Sequence, residues 1–289
     1  MNVLQESEYL KLLKKLTLFS KHQNSGRRLG ERLTKKKGSS VEFKDYREYY
    51  PGDDIRFVDW NLWGRLDKYY IKLFYNEENQ NVFSLFDISN SMFEPEISKS
   101  NFLKKFVGAV SYIALSQKDN VKLLPYCNNL IHSGPEAYSL SAWPRFSAFL
   151  SKVRPTKHSN LVNSVDEFLA REKQRGILFL VSDFLHDLES LEYALKKLSF
   201  YKFQVNVVQV LSQFEIEPDW SGNYLIKDAE SELEIEIDIE SDYKLLYQES
   251  CLEHLRNVEK TAKKYGCSYR FANSDQSFEE FMIKYFIKS

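Results

Sequence analysis

The amino-acid sequence predicts an α/β fold in which a doubly wound, mostly parallel sheet is flanked by helices. Three observations predict this class. From residue 68 onward, strand-like and helix-like patterns alternate, as they do in parallel sheets with helical crossovers. Two strand-like runs, NVFSLFD (81–87) and GILFLVSD (176–183), are apolar over most of their length, which is typical of strands buried on both faces. Both runs end in an aspartate, at the sheet edge where doubly wound proteins bind ligands.

The individual elements follow from the spacing of the apolar residues. Where these residues recur every three or four positions, the sequence predicts amphipathic helices, at residues 5–22, 99–119, 141–153, 160–174, 188–198, 241–264 and 277–287. Where β-branched and aromatic residues run together, it predicts strands, at residues 68–79, 81–87, 120–127, 176–183, 201–212 and 267–272. The strict alternation of ELEIEID (232–238) predicts a further, half-exposed strand.

The composition is that of a folded globular protein. Of the 289 residues, 43% are hydrophobic and 15% are aromatic, which is enough for a sizeable core. The formal net charge of -1 gives no support to bulk nucleic-acid binding. No run approaches the ~20 apolar residues of a membrane span, and the start lacks a signal-peptide core. Cys127, Cys251 and Cys267 lack metal-ligand spacing and predict free thiols in a reducing cytoplasm.

The loop after the first apolar strand carries three hard oxygen ligands at alternate positions, Asp87, Ser89 and Ser91. On a loop that turns away from a strand, these ligands can converge on one small cation, and Mg²⁺ or Mn²⁺ suits them. Alternatively, they cap the helix that follows. Because Asp183 ends a second strand, we expect a metal site. An ion with so few charged ligands keeps positive charge and can accept a carboxylate from outside.

Several segments resemble known families. FDISNSM (86–92) resembles the first loop of the von Willebrand factor A fold, with its metal-ion-dependent adhesion site, and VSDF (181–184) resembles the third metal loop. Residues 39–79 closely resemble the signature of bacterial DUF58 proteins, and DAESELEIEID (228–238) resembles the D-x-E-x-G segment, with Glu232 where glycine is common. The resemblance implies a von Willebrand factor A-like domain at residues 76–289. Residues 1–75, a helix and the DUF58 signature segment, would form a helical and irregular β extension packed on it.

The resemblance also implies a set of metal ligands: Asp87, Ser89 and Ser91 from the first loop, Ser159 from the second and Asp183, acting through water, from the third. The second loop of this fold carries a threonine before a leucine. Here Ser159 stands at that position, two residues before Leu161, and Thr156 is the alternative ligand.

A second block, DYREYYPGDDIRFVDWNLWGR (45–65), combines arginines, carboxylates and aromatic rings. Such a density suits an internal ion-pair network or a partner surface. Pro51–Gly52 predicts a turn with positive φ at the glycine. Asp53, Asp54 and Asp59 are an alternative second metal site, although the adjacent arginines would satisfy these carboxylates. We therefore expect a structural or docking network.

A basic run at residues 26–38 precedes that block. We expect a solvated loop, with electrostatic contact to an acidic partner as the alternative. The run contains no aromatic side chain, so a groove for single-stranded nucleic acid is disfavoured. The candidate partner-binding residues are Arg27, Arg28, Arg47, Arg56, Asp53, Asp54 and Trp60.

The sequence contains no G-x-S-x-G elbow, no phosphate-binding loop and no H-E-x-x-H motif. Ser89 stands where an aspartyl-phosphate phosphatase needs a second carboxylate. A metal with hydroxyl ligands and no placed base suits binding better than turnover, so we expect a non-catalytic module that binds an acidic protein ligand. The resemblance implies that the partner is a MoxR-type AAA+ ATPase, with this protein as adaptor or co-chaperone. The alternatives are a divalent-metal hydrolase and a nucleic-acid contact through residues 27–37.

Overall fold

The structure is a computed structural model that describes residues 4, 6–27, 43–74, 79–93, 97–130, 134–156, 159–185, 187–218, 222–227, 234–239 and 241–287. The chain divides into two compact units, residues 1–24 with 80–289, and residues 25–79. The N-terminal helix therefore belongs to the large unit up to residue 24, whereas the sequence groups it with the DUF58 signature segment. The predicted packing of that segment on the main domain stays a prediction.

The strands are β1 (Phe43–Glu48), β2 (Tyr70–Phe74), β3 (Asn81–Asp87), β4 (Asn120–Tyr126), β5 (Glu136–Ala137), β6 (Ile177–Ser182), β7 (Gln204–Leu211), β8 (Gly222–Lys227), β9 (Glu234–Ile239) and β10 (Ser268–Asn273). The helices are α1 (Ser7–Arg27), α2 (Trp60–Leu66), α3 (Ile97–Ser116), α4 (Trp143–Lys152), α5 (Leu161–Arg171), α6 (Leu188–Phe200), α7 (Gln213–Ile216), α8 (Ser241–Lys264) and α9 (Phe278–Ile287). Each predicted element has an observed counterpart.

The large unit contains a six-stranded sheet in the order β5-β4-β3-β6-β7-β10. The neighbours from β4 to β10 pair in parallel, and the two-residue β5 pairs antiparallel with β4 at one edge. Numbered within this sheet alone, the order is 3-2-1-4-5-6, which defines a doubly wound fold. The predicted fold class is therefore confirmed. The strand order reverses between β3 and β6.

Two apolar layers cover the faces of the sheet. Apart from their first residues, β3 and β6 are buried throughout, because both faces are covered. Side chains alternate along a strand: Val82 and Phe86 pack with α1, α3, α4 and α9, whereas Phe83 and Leu85 pack with α5, α6 and α8. This double burial explains the continuous apolar runs.

Helix α1 belongs to the large unit because its apolar stripe is buried there. Leu13 and Leu16 are fully buried in the layer that also contains α3. The Tyr9 hydroxyl donates to the Lys105 carbonyl at 2.7 Å, and burial raises the pKa of Tyr9 well above its usual value. A Cβ at Gly108 would lie 2.8 Å from the Tyr9 hydroxyl, so the missing side chain permits this close approach.

The antiparallel pair formed by β8 and β9 in the large unit is predicted from sequence for only one of its two strands. Strands β8 and β9 pair antiparallel, with Tyr224 opposite Ile237. The sequence predicts β9 from its alternation, but β8 lies in a stretch whose mixed composition gives no strand signal. The side chains of both strands lie outside the described part of the chain, so the half-exposure predicted for residues 232–238 stays a prediction.

In the small unit, β1 and β2 form an antiparallel pair with Arg47 opposite Ile71. Helix α2 begins after Asp59, whose carboxylate accepts from the backbone N–H groups of Asn61 and Leu62, as an N-cap does. Within the ranges that the structure describes, no helix is long and apolar enough to cross a membrane.

We predict that Phe168→Ala lowers the free energy of unfolding by about 3–5 kcal/mol. The Phe168 ring is fully buried, with centroid distances of 5.2 Å to Phe83 and 5.1 Å to Phe203, so truncation leaves a cavity. Denaturant unfolding followed by circular dichroism measures the loss. Phe200→Ala is the control, because Phe200 on neighbouring α6 is 80% exposed and its truncation should change stability by less than about 0.5 kcal/mol. Equal losses of unfolding free energy in the two variants would contradict the placement of Phe168 in the core.

Candidate metal centre

The two predicted strand-end carboxylates meet at the point where the sheet order reverses. Asp87 ends β3 and Asp183 follows β6, and these strands pair with Phe86 opposite Val181. Both carboxylates are fully buried. The Ser182 hydroxyl lies between them, donating to Asp87 Oδ2 at 2.8 Å and lying 3.5 Å from Asp183 Oδ1. The sequence places these aspartates at one edge, and the structure brings them together there.

The first loop turns tightly around Asp87. The Ser89 backbone N–H donates to Asp87 Oδ1 at 2.8 Å, which makes an Asx turn. This turn brings the hydroxyls of Ser89 and Ser91 to within 3.0 Å of each other. Ser89 is fully buried and Ser91 is half-buried, so the first loop presents one hydroxyl inside the site and one at its rim.

The second loop contributes Ser159. Its hydroxyl donates to Asp87 Oδ2 at 3.2 Å, and Ser159 is half-buried. The other candidate, Thr156, bonds elsewhere: its hydroxyl and its backbone N–H both donate to the Ile88 carbonyl, at 3.2 and 2.8 Å. The geometry therefore favours Ser159 over Thr156 as the hydroxyl of this loop that faces Asp87.

These oxygens have a spacing that a small divalent cation can use. Two ligands at adjacent octahedral positions of Mg²⁺, each 2.0–2.1 Å from the ion, lie about 3.0 Å apart. The Ser89–Ser91 and Ser159–Asp87 oxygen pairs are separated by 3.0 and 3.2 Å. The described residues contain no group of three or more His, Cys, Asp or Glu that could hold a metal ion, so a site here depends on hydroxyl ligands.

Asp183 is held by a buried lysine that the sequence analysis missed. The Lys99 ammonium lies 3.3 Å from Asp183 Oδ2 and 2.5 Å from Glu215 Oε1, and Lys99 is 0% exposed. The other Asp183 oxygen, Oδ1, accepts from the Leu185 backbone N–H at 3.3 Å. One sequence signal was present: Lys99 stands three and seven positions before Phe102 and Phe106, so the helical period places a charge on the apolar stripe of α3.

The third loop contains a strained residue. Phe184 has φ +53° although it is not glycine, and its side chain is buried. Such a conformation costs about 1–2 kcal/mol and persists where surrounding contacts fix it. The Phe184 backbone N–H donates to the Ser182 hydroxyl at 3.1 Å, and His254 Nε2 lies 2.8 Å from the Phe184 carbonyl oxygen. The loop that carries Asp183 is thus fixed from two sides.

Tyr126 ends β4 beside the candidate site. Its hydroxyl is buried and makes no hydrogen bond of ordinary geometry within the described residues. Burial and, secondarily, the negative charge of Asp87 raise the pKa of the Tyr126 phenol well above its usual value. The phenol therefore stays neutral and adds no further negative charge to the two aspartates.

The second block predicted from sequence forms local ion pairs. Arg47 pairs with Asp53 at 2.9 Å and Arg56 with Asp54 at 2.8 Å, as the arginine-rich composition predicts. The predicted turn is also present, because Gly52 has φ +102° and the Asp53 N–H donates to the Tyr50 carbonyl at 3.0 Å.

The third carboxylate of the block, Asp59, pairs with a lysine instead of an arginine. Its Oδ2 lies 3.1 Å from the Lys72 ammonium and 2.9 Å from the Tyr46 hydroxyl. Burial raises the pKa of Asp59, but the bonds from Lys72, Tyr46 and two backbone N–H groups outweigh it, so the pKa is lowered. All three carboxylates are thus satisfied by protein groups.

The remaining predicted partner-binding residues are only partly described. Trp60 is 59% exposed and lies edge-on to Trp63 and Tyr69, at centroid distances of 6.3 and 6.4 Å. Arg27 ends helix α1. Arg28 and the rest of the basic run up to residue 38 lie outside the described residues.

The doubly wound sheet defines an α/β protein. The oxygen cluster, at the point where the strand order reverses, defines a candidate ligand site at the strand ends. The family profile described as "Protein of unknown function DUF58" matches residues 45–256. The match covers more than half of the chain, and the protein belongs to the DUF58 family. The predicted family resemblance is thereby confirmed.

Solved structures give distant matches. They include BatB from Bacteroides thetaiotaomicron, a conserved hypothetical protein, with 15% identity, TM-score 0.44 and coverage of 73% of this chain and 100% of that chain. An aerotolerance-related membrane protein from Bacteroides fragilis has 18% identity, TM-score 0.44 and coverage of 73% and 100%. The SpRpn10 VWA domain has 10% identity, TM-score 0.42 and coverage of 72% and 95%. At these values, no activity or partner is transferred to this chain. No functionally curated protein matches it.

We predict that Ser182→Ala destabilises the protein by about 1–3 kcal/mol. The hydroxyl that it removes donates to buried Asp87 and accepts from the buried Phe184 N–H, so both groups lose a partner. Thermal and denaturant unfolding measure the effect. Ser141→Ala is the matched control, because the Ser141 hydroxyl is exposed and contacts only Ser139 among the described residues. If Ser182→Ala were as stable as Ser141→Ala, Ser182 would not be the link between the strand ends.

Proposed function

We propose that this DUF58 protein is a non-catalytic, metal-dependent protein-binding module. In this proposal Asp87, Ser89, Ser91 and Ser159 hold Mg²⁺ or Mn²⁺, and Asp183 acts through water. An acidic side chain of a partner protein completes the ligand shell. The observation that carries the proposal is the convergence of two loops on Asp87: the Ser159 hydroxyl bonds to one carboxylate oxygen, and the Ser89 N–H of the first loop bonds to the other.

The chain's own residues fix this arrangement before any ligand arrives. Asp87 is oriented by the Ser89 N–H on one oxygen and the Ser182 hydroxyl on the other. Asp183 has an ammonium group, that of Lys99, on one oxygen and the Leu185 N–H on the other, and this charged partner supports an indirect role for the carboxylate. A bound ion would supply the positive charge that attracts a carboxylate.

The distribution of burial supports binding of a macromolecule at this edge. Asp87 and Ser89 are fully buried, whereas Ser91 and Ser159 are half-buried. The partly exposed residues of the cluster are therefore serines from two different loops. A side chain that approaches from solvent reaches these serines before the fully buried Asp87.

Two observations support a binding role over a catalytic one. His254 is directed at the Phe184 carbonyl, and Lys99 is enclosed by two carboxylates, so neither group is available as a base. General acid–base catalysis needs such a group within hydrogen-bond reach of the substrate. The alternative function, a divalent-metal hydrolase, needs a base other than these two groups.

The partner that we propose is a MoxR-type AAA+ ATPase, with this protein as its adaptor or co-chaperone. This part of the proposal is supported by the DUF58 family membership alone. We also propose a cytoplasmic location, which the three free thiols of Cys127, Cys251 and Cys267 support.

We predict that the wild-type protein binds one Mn²⁺ and that Asp87→Asn weakens this binding by at least about tenfold, because it removes the charged ligand. Titration calorimetry with Mn²⁺ measures both affinities. The substitution keeps the shape of the side chain, so the fold should persist. Asp166→Asn is the control: this surface carboxylate pairs with Lys197 at 2.7 Å, and its loss should leave Mn²⁺ affinity unchanged. Absence of Mn²⁺ binding by the wild type would refute the metal-dependent function.

We further predict that a purified MoxR-type ATPase from the same organism binds this protein in Mg²⁺ and dissociates in EDTA, because the ion supplies the contact to an acidic side chain. Surface plasmon resonance measures this, with Asp87→Asn as the variant and Asp166→Asn as its control. Binding that survives EDTA would contradict the metal contact.

The same samples discriminate the alternative functions. Hydrolysis of p-nitrophenyl phosphate that requires Mg²⁺ and is lost in Asp87→Asn would favour the hydrolase. Retention on heparin resin that is lost when Lys35, Lys36 and Lys37 are changed to glutamine would favour a polyanion contact. We expect neither.

A further inference from the structure

We propose that Lys99 is an internal counter-cation of the candidate metal centre. It weakens the binding of the divalent ion and, by neutralising one carboxylate, leaves the loaded site receptive to an acidic ligand. This inference rests on the proposed function. Its basis is the contact between the Lys99 ammonium and Asp183, the one described carboxylate other than Asp87 that lies within the oxygen cluster.

The first step concerns the burial of the charge. Lys99 is 0% exposed, and its ammonium contacts carboxylates on two elements, at 3.3 Å and 2.5 Å. A buried ammonium is stable only when it is paired, so its charge is confined next to Asp183. Because the ion pair is shielded from water, its field acts on the neighbouring site with little screening.

The second step concerns the total charge. Asp87, Asp183 and Glu215 bring three negative charges to this edge of the sheet, and Lys99 brings one positive charge. A divalent ion therefore neutralises the cluster. Without Lys99 the loaded cluster would keep one negative charge, which would repel an acidic ligand and attract the ion more strongly. Lys99 thus lowers the affinity of the site for the metal ion and favours the binding of a carboxylate to the loaded site.

The third step concerns rigidity. Glu215 is fixed by a capping box at the start of α7: its carboxylate accepts from the Ser212 N–H at 2.8 Å, and its own N–H donates to the Ser212 hydroxyl at 3.2 Å. The Tyr247 hydroxyl of α8 donates to the Glu215 carbonyl at 2.8 Å. Because these bonds hold Glu215 in place, they also hold the Lys99 ammonium beside Asp183.

The test compares two substitutions that should change Mn²⁺ affinity in opposite directions. Lys99→Met shortens the unbranched side chain by one atom and removes the charge, so it should tighten Mn²⁺ binding by about tenfold or more. Glu215→Gln leaves Lys99 paired with Asp183 alone and should weaken binding by a similar factor. Lys105→Met is the control on the same helix, since Lys105 pairs with Glu6 at 3.5 Å, and it should leave the affinity unchanged. A residue that only supports the fold would lower affinity in both variants.

Lys99→Met leaves the fully buried Asp183 and the half-buried Glu215 without their shared cation and can prevent folding. The double variant Lys99→Met/Glu215→Gln removes one of these charges and should fold, as near-ultraviolet circular dichroism would show. It should bind Mn²⁺ more tightly than Glu215→Gln alone. If this variant also unfolds, Glu215→Gln decides, and unchanged or tighter binding in it overturns the inference.

The possible results separate this inference from the proposed function. If the wild type binds Mn²⁺ and folded Lys99→Met binds no more tightly, the counter-cation is refuted and the metal-dependent function stands. If only Lys99→Met binds Mn²⁺, the counter-cation is supported and the metal dependence of the natural protein is refuted. If neither binds Mn²⁺, both are refuted.

Discussion

The hydrogen bond from Ser182 to Asp87 is the contact on which the candidate site depends. It joins the ends of β3 and β6, the two strands between which the sheet order reverses. In a doubly wound sheet this is where loops diverge to opposite faces and leave a crevice. Because Asp87 is fully buried, its charge needs donors from both strands and from the loops. The same donors then fix the carboxylate at the mouth of the crevice.

The buried Lys99 extends this network away from the crevice. A buried ion pair contributes little to stability compared with apolar side chains of the same volume, so stability alone does not explain why a charged cluster stands here. The position of Lys99 is informative instead: it lies between Asp183 at the strand ends and Glu215 on α7, and α7 is bonded to α8 through Tyr247. The electrostatics of the site are therefore tied to helices on both faces of the sheet.

Much of the fold and part of the site could be predicted from sequence, and the failures have physical reasons. Periodicity located the strands and helices of the sheet, because burial on one or both faces imposes a spacing. Asp87, Ser89 and Ser91 stand out since polar residues follow an apolar run. Ser182 and Lys99 were missed because each lies inside an apolar pattern, where a single polar residue signals little. The docking of helix α1 could not be read from local pattern, which does not reveal that Tyr9 packs on α3.

The conformation of Phe184 indicates that the site is preorganised. Its positive φ is unfavourable for a residue with a Cβ, yet the residue is held by the buried side chain and by contacts with Ser182 and His254. Relaxing it would change the backbone next to Asp183, whose carboxylate contacts Lys99. The fold thus tolerates backbone strain at Phe184, and this strained conformation keeps the third loop in one position. A site whose oxygens are already fixed loses less conformational entropy on binding. One carboxylate and several neutral hydroxyls can therefore suffice to bind an ion, whereas flexible loops would need more carboxylates.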